Sequence, residues 1–189
     1  VGAERGTDPL DAFLDLQVAY GNDLRWYSVV ANGNAEHLEW IIANPAAMIG
    51  FSDAGAHLRN MAFYNFPLRM LKRVRDAQRA GRPFMSVEDA VRKLTSDIAE
   101  FHRIDAGRLE TGARADLVVI DPERLDDTVE EIHEEPMPEF TGLNRLVRRN
   151  DDTVRAVLVS GKVAWKGGAP ADDLGTSRHY GRVLALGSA

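Results

Sequence analysis

Apolar residues recur at three- and four-residue intervals through the first hundred positions, and fall in short runs between turn residues thereafter. Leu10, Phe13, Leu14 and Val18 share one helical face. Ahead of them Asp8 is placed as an N-cap, Pro9 at the first helical position and Asp11 in the first turn, and Gly21 closes the helix. Arg25 to Val30 is rich in aromatic and β-branched residues and predicts a strand. Asn32-Gly33-Asn34 is a turn, with Asn34 placed to cap a helix striped by Leu38, Ile41 and Ile42 and stopped at Asn44-Pro45. Met48 to Phe51 is too short for a buried helix and suits a buried parallel strand. The order helix, strand, helix, strand with short connections predicts βα units around a parallel sheet.

An aromatic-rich irregular stretch, 61–67, leads into a helix over 68–80, with Gly81 at its C-cap and Leu68, Leu71 and Val74 on one face. Arg69, Lys72, Arg73, Arg75, Arg79 and Arg82 crowd the other faces. They read as a solvated surface, or as a cationic lid able to meet a substrate carboxylate. Ser86 to Asp89 resembles a capping box for a helix carrying Val87, Ala90, Val91 and Leu94 inward. Thr95-Ser96-Asp97 marks a break and a new cap, and His102 in the next turns reads as a surface or packing residue.

The pattern changes at 105–107. Short strands are expected over 107–111 and 115–121, joined by the turn Gly112-Ala113-Arg114 and ended by Pro122. The long stretch 125–150 has little periodicity and an acidic cluster, and reads as an ordered loop or a cover over another domain. Val154–Val159 and Lys162–Trp165 flank Ser160-Gly161 as a β-hairpin with a tight turn. The division expected is therefore 1–104, rich in βα units, and 105–189, rich in β.

Composition narrows the function classes. The chain has 189 residues, 44% hydrophobic and 28% charged, with a net charge of −6. That balance is ordinary for a globular chain and argues against a nucleic-acid or membrane-surface binder. With no cysteine there is neither a disulfide framework nor a thiolate metal site, which favours a cytoplasmic setting. The first residues carry no apolar signal region and no initiator Met, so the chain reads as processed or as a piece of something longer.

The candidate chemistry centres on Gly50-Phe51-Ser52-Asp53-Ala54-Gly55-Ala56-His57. Asp53 falls at the C-terminal end of the expected strand, where open α/β sheets and (β/α)8 barrels place their chemistry. The small residues behind it let backbone, metal or substrate approach the carboxylate. The plain alternative is that Asp53 caps a turn and His57 faces solvent.

Three pieces line up in order: this loop, then Val91–Phe101 followed by Gly107–Pro122, then the hairpin Val154–Trp165. Together they resemble the C-terminal part of a metal-dependent amidohydrolase, closest to the N-acyl-D-amino-acid deacylases. The resemblance implies the last βα units of a (β/α)8 barrel, with Arg25–Val30 and Met48–Ser52 as its final two strands. It implies further that residues 106–122 and 154–165 are strands of a small β-sandwich, with a structural Gly-Ala-Arg-Ala-Asp turn.

By the same resemblance Asp53 is a metal ligand, the general base that activates water, or both. His57 and Arg59 are the candidates for substrate contact. The family's cofactor is one or two metal ions, usually zinc. Its other ligands have no counterpart here, for His37, His57, His102, His133 and His179 are not spaced for a shared site. A catalytic zinc normally takes three protein ligands, and Asp53 with His57 supplies two at most. The expectation is a segment that hydrolyses a small amide only with an N-terminal barrel portion or a self-associating copy as partner. The alternative is a catalytically silent remnant acting as a binding or assembly module.

Overall fold

A computed structural model describes residues 1–29, 31–50, 52 and 57–185. The chain divides into two compact units, residues 1–38 and residue 39 onward.

The first unit holds α1 (Gly2–Arg5) and α2 (Pro9–Tyr20). Asp8 caps α2 as its sequence predicts, its carboxylate accepting the Leu10 N–H at 2.8 Å. The Phe13 and Trp26 rings lie 4.9 Å apart, tilted by 33°. Among the unit's described residues only Ala12 is buried, while Leu10, Leu14 and Val18 are exposed. α3 (Ala35–Ala43) runs from the first unit into the second, and Asn34 Oδ1 caps it by accepting the His37 N–H at 2.9 Å.

The helices of the second unit are α4 (Phe66–Arg79), α5 (Val87–Leu94) and α6 (Ser96–His102). α4 buries the apolar face its spacing predicts, Leu68, Leu71 and Val74, together with Met70 and Ala77. Ser86 caps α5, accepting the Asp89 N–H at 3.0 Å and donating its hydroxyl to the Asp89 carboxylate at 2.8 Å. Of the residues expected inward on α5, Ala90 is buried, but Val87 and Val91 are exposed. Lys93 takes the inward place instead. Its stem is buried and its ammonium donates to Asn44 O at 2.6 Å, at the C-terminal end of α3, where a helix favours a cation.

The expected strand 107–111 is a loop. Gly107 has φ +76, outside the strand region, and seats against the α5–α6 junction, where a Cβ would fall 2.8 Å from the Thr95 carbonyl carbon.

The strands are β1 (Leu117–Ile120), β2 (His133–Pro136), β3 (Asn144–Val147), β4 (Val154–Val159), β5 (Lys162–Lys166) and β6 (Ala169–Pro170). They form an antiparallel sheet in the order β1-β4-β5-β6 and a separate β2-β3 pair. Ser160 (φ 51) and Gly161 (φ 80) turn the β4–β5 hairpin, both left-handed as a type I′ turn requires. The Gly112–Asp116 turn receives that tip: Ala115 O accepts the Gly161 N–H at 2.8 Å, and Asp116, itself paired with Arg114, accepts the Ser160 N–H at 2.7 Å. The stretch 125–150, expected as a loop or cover, contains the β2–β3 hairpin. β2 is His-Glu-Glu-Pro, so no apolar alternation announces it.

The two parallel strands expected of a barrel are not formed among the described residues. Residues 25–29, 48–50 and 52 make no ladder, and Val30 and Phe51 lie outside the described set. The observed class is mixed helix and sheet with open antiparallel sheets. Parallel sheets occur with both faces covered, and an isolated pair of strands is marginal in water.

Candidate functional site

Asp53, the residue expected as base and metal ligand, lies outside the described residues, as do residues 54–56. The backbone is described again from His57. His57 is half-buried, and its carbonyl accepts the N–H groups of Asn60 and Met61, each at 2.8 Å, closing a turn. Arg59 is exposed on that turn.

Residues 58–65 are held by a distant part of the chain. Leu146, in β3, turns its N–H away from β2 and donates it to Leu58 O at 2.7 Å. The Tyr64 hydroxyl accepts the N–H of Arg148. The Arg148 side chain is buried, 6% exposed. Its guanidinium donates to Ala62 O at 2.5 Å, Glu130 O at 2.5 Å and Val129 O at 3.2 Å. Asn65, before the first turn of α4, makes no side-chain cap. Its amide donates to Val129 O at 2.9 Å and Asn150 Oδ1 at 3.0 Å, and its own buried Oδ1 has no donor among the described residues. None of Arg148, Tyr64 and Asn65 stands out by spacing. The one sequence signal is an arginine directly behind the apolar pair Leu146-Val147.

The basic face of α4, with Arg82 beyond it, is laced with ion pairs while staying partly in solvent. Its cations pair with carboxylates of the same unit. Arg69 pairs with Glu130 at 2.7 Å, Arg79 with Glu123 at 3.0 Å, and Arg73 and Arg82 with Glu39 at 3.6 and 3.4 Å. Lys72 bridges Asp76 at 2.9 Å and Asp127 at 2.8 Å, and Arg75 also holds Asp76, at 2.9 Å. Burial opposes the charge on Lys72, but its bonds to Asp127 and Asp76 carry its pKa upward. Burial likewise opposes the Asp76 carboxylate, and Lys72 and Arg75 hold it below the usual carboxylate range.

Beside the first turn of α4 lies an apolar hollow of about 310 Å³. Met48, Ile49, Phe66, Leu94 and Ile98 line it, with His102 at its side. His102 is exposed and meets the Phe101 ring edge-on at 5.0 Å. His133 is also exposed, 3.7 Å from a Glu131 oxygen.

The family model for amidohydrolases matches residues 6–164. The chain belongs to the amidohydrolase family. The chain is 51% identical over 192 residues to an uncharacterized protein of Mycobacterium bovis, and equally so to uncharacterized proteins of two Mycobacterium tuberculosis strains. The match covers 99% of this chain and 31% of each relative, so the chain spans about a third of their length. No solved structure matches the chain.

Members of the superfamily commonly use metal ions. Among the described residues, no group of three His, Asp or Glu side chains comes together to hold one. Also among the described residues, no helix is long and apolar enough to cross a membrane.

Proposed function

We propose that this chain is the C-terminal segment of an amidohydrolase that cleaves the amide of N-acyl amino acids, D-amino acids foremost, or of a related small amide with a non-peptide C–N bond. The observation that carries this reading is the family match across residues 6–164, which spans the sequence Ser52-Asp53-Ala54-Gly55-Ala56-His57. Asp53 is the general acid/base. A carboxylate in that role takes the proton of the attacking water and passes it to the leaving nitrogen, worth about 10²- to 10⁴-fold in rate. His57 and Arg59 contact the substrate. The cofactor is zinc, one or two ions. Asp53 is this chain's own ligand to it, and the remaining ligands come from the N-terminal barrel portion of the same enzyme, the partner this reading requires. The setting is cytoplasmic, with neither nucleic acid nor membrane as partner.

The test is Asp53→Asn in the assembled enzyme. Turnover of an N-acyl-D-amino acid should fall at least ~10²-fold with the folded fraction unchanged. Turnover within a few-fold of wild type would remove Asp53 from the chemistry.

A second reading is favoured by the apolar side chains left in solvent, Trp40 and Phe101 among them, at 67% and 66% exposure. In it the chain is a catalytically silent remnant that serves as a binding or assembly module. Reproducible self-association without zinc uptake would support this second reading against the first.

A further inference from the structure

Arg148 is the residue of the described structure whose burial is hardest to explain by stability. A buried guanidinium loses its hydration, and apolar residues of similar volume often serve stability as well or better. Such a group endures where its fixed fork of donors sets geometry. Here the fork faces backbone from two other segments, Ala62 on one side and Val129 with Glu130 on the other.

The Ala62 side bears on the candidate site. Ala62 is 1% exposed and lies five residues beyond His57. Two further bonds from the same strand end grip that stretch, Leu146 N–H to Leu58 O and Arg148 N–H to the Tyr64 hydroxyl. Asn65 ties its far end to Val129 and Asn150. Residues 57–65 form neither helix nor strand, so their path is set by these long-range bonds more than by local structure. Asn65 gives up its capping role to make its share, leaving a buried oxygen without a donor among the described residues. An unmade bond of this kind costs stability, so the arrangement is specific rather than merely cohesive.

We propose that Arg148, with the β3 backbone, is a positioning residue for the reaction: it fixes the backbone of residues 57–65, the stretch that carries the substrate-contact candidates His57 and Arg59. The proposal rests on the amidohydrolase reading for its catalytic consequence. Its structural part stands apart from it.

The experiment takes the assembled enzyme with Arg148→Met, Arg148→Lys and Tyr64→Phe. Tyr64→Phe keeps the buried charge and removes one bond, so it reports even where Arg148→Met does not fold. Each variant is assayed for kcat and KM on an N-acyl-D-amino acid, and for amide hydrogen exchange.

The expected result is a kcat lowered about 10- to 100-fold per folded enzyme in Arg148→Met, the scale of a small misplacement of reacting groups. KM should change little, Arg148→Lys should recover part of the loss, and Tyr64→Phe should show a smaller loss. Exchange should quicken over residues 57–65 while the β4–β5 hairpin stays protected. Unchanged kcat with unchanged exchange at 57–65 would overturn the proposal, as would a loss that only follows the folded fraction. Should the wild-type assembly hydrolyse no acyl amino acid, the enzyme reading fails, and exchange alone decides the clamp: local loosening upholds it, and its absence overturns it.

Discussion

Asp76 lies between two cations, the Lys72 ammonium and the Arg75 guanidinium, each 2.9 Å away. Its carboxyl is held below the ordinary 3.8 of an aspartate, so the folded state binds its proton less readily than the unfolded chain. The stability this contributes is present above the unfolded value and is lost as pH falls through the lower, folded one. Asp76→Asn should therefore lower the melting temperature at pH 7 and make little difference near pH 2. The pair is partly solvated, so the effect at pH 7 should be about 0.5–1 kcal/mol. For a chain of this size that is roughly 2 °C. Thermal melts at the two pH values check both sign and window. The same side chains show how far sequence reaches at this scale. The basic crowding on α4 is plain in the sequence. Its partners, Glu39, Glu123, Asp127 and Glu130, lie some 30 to 60 residues away along the chain, and nothing local pairs them.

Among the elements, those with local determinants form where the pattern places them. Asp8, Asn34 and Ser86 cap their helices, and Ser160-Gly161 turns its hairpin. The hairpin gives a clean energetic test. Gly161 has φ +80, and a Cβ there would meet only the Ala115 Cβ, at 3.8 Å. Gly161→Ala should cost about 1–2 kcal/mol from the left-handed backbone alone, with no added clash. Chemical denaturation would measure it, and an effect near zero would mean the turn relaxes to another type. Elements that depend on distant contacts were not legible. The β2–β3 hairpin has a charged strand and is held by buried Val147 and Arg148 instead of by alternation. At 107–111 Gly107 takes φ +76, outside the strand region, and lies against the helix break at Thr95.

On the scale of the whole molecule, the family was legible and the barrel strands were not. The Gly112–Asp116 turn and the final hairpin carry the resemblance through residues set by local geometry, and the Ser52–His57 stretch carries it through its residue types. Residues 25–29 and 48–50 have strand-like composition yet make no ladder, since composition supplies a strand's side chains and not its neighbours. On β1 and β5 the side chains of Val118, Val119 and Val163 are exposed. The chain matches 31% of its relatives' length, and the enzyme reading assigns the catalytic set to that larger whole. The most direct measurement is steady-state hydrolysis of an N-acyl-D-amino acid in the presence of zinc, by this chain alone and by this chain combined with the portion corresponding to the rest of its relatives. Turnover only in the combined sample, abolished by Asp53→Asn, is the predicted result. No turnover in the combined sample, with both portions folded and zinc bound, would contradict the enzyme reading.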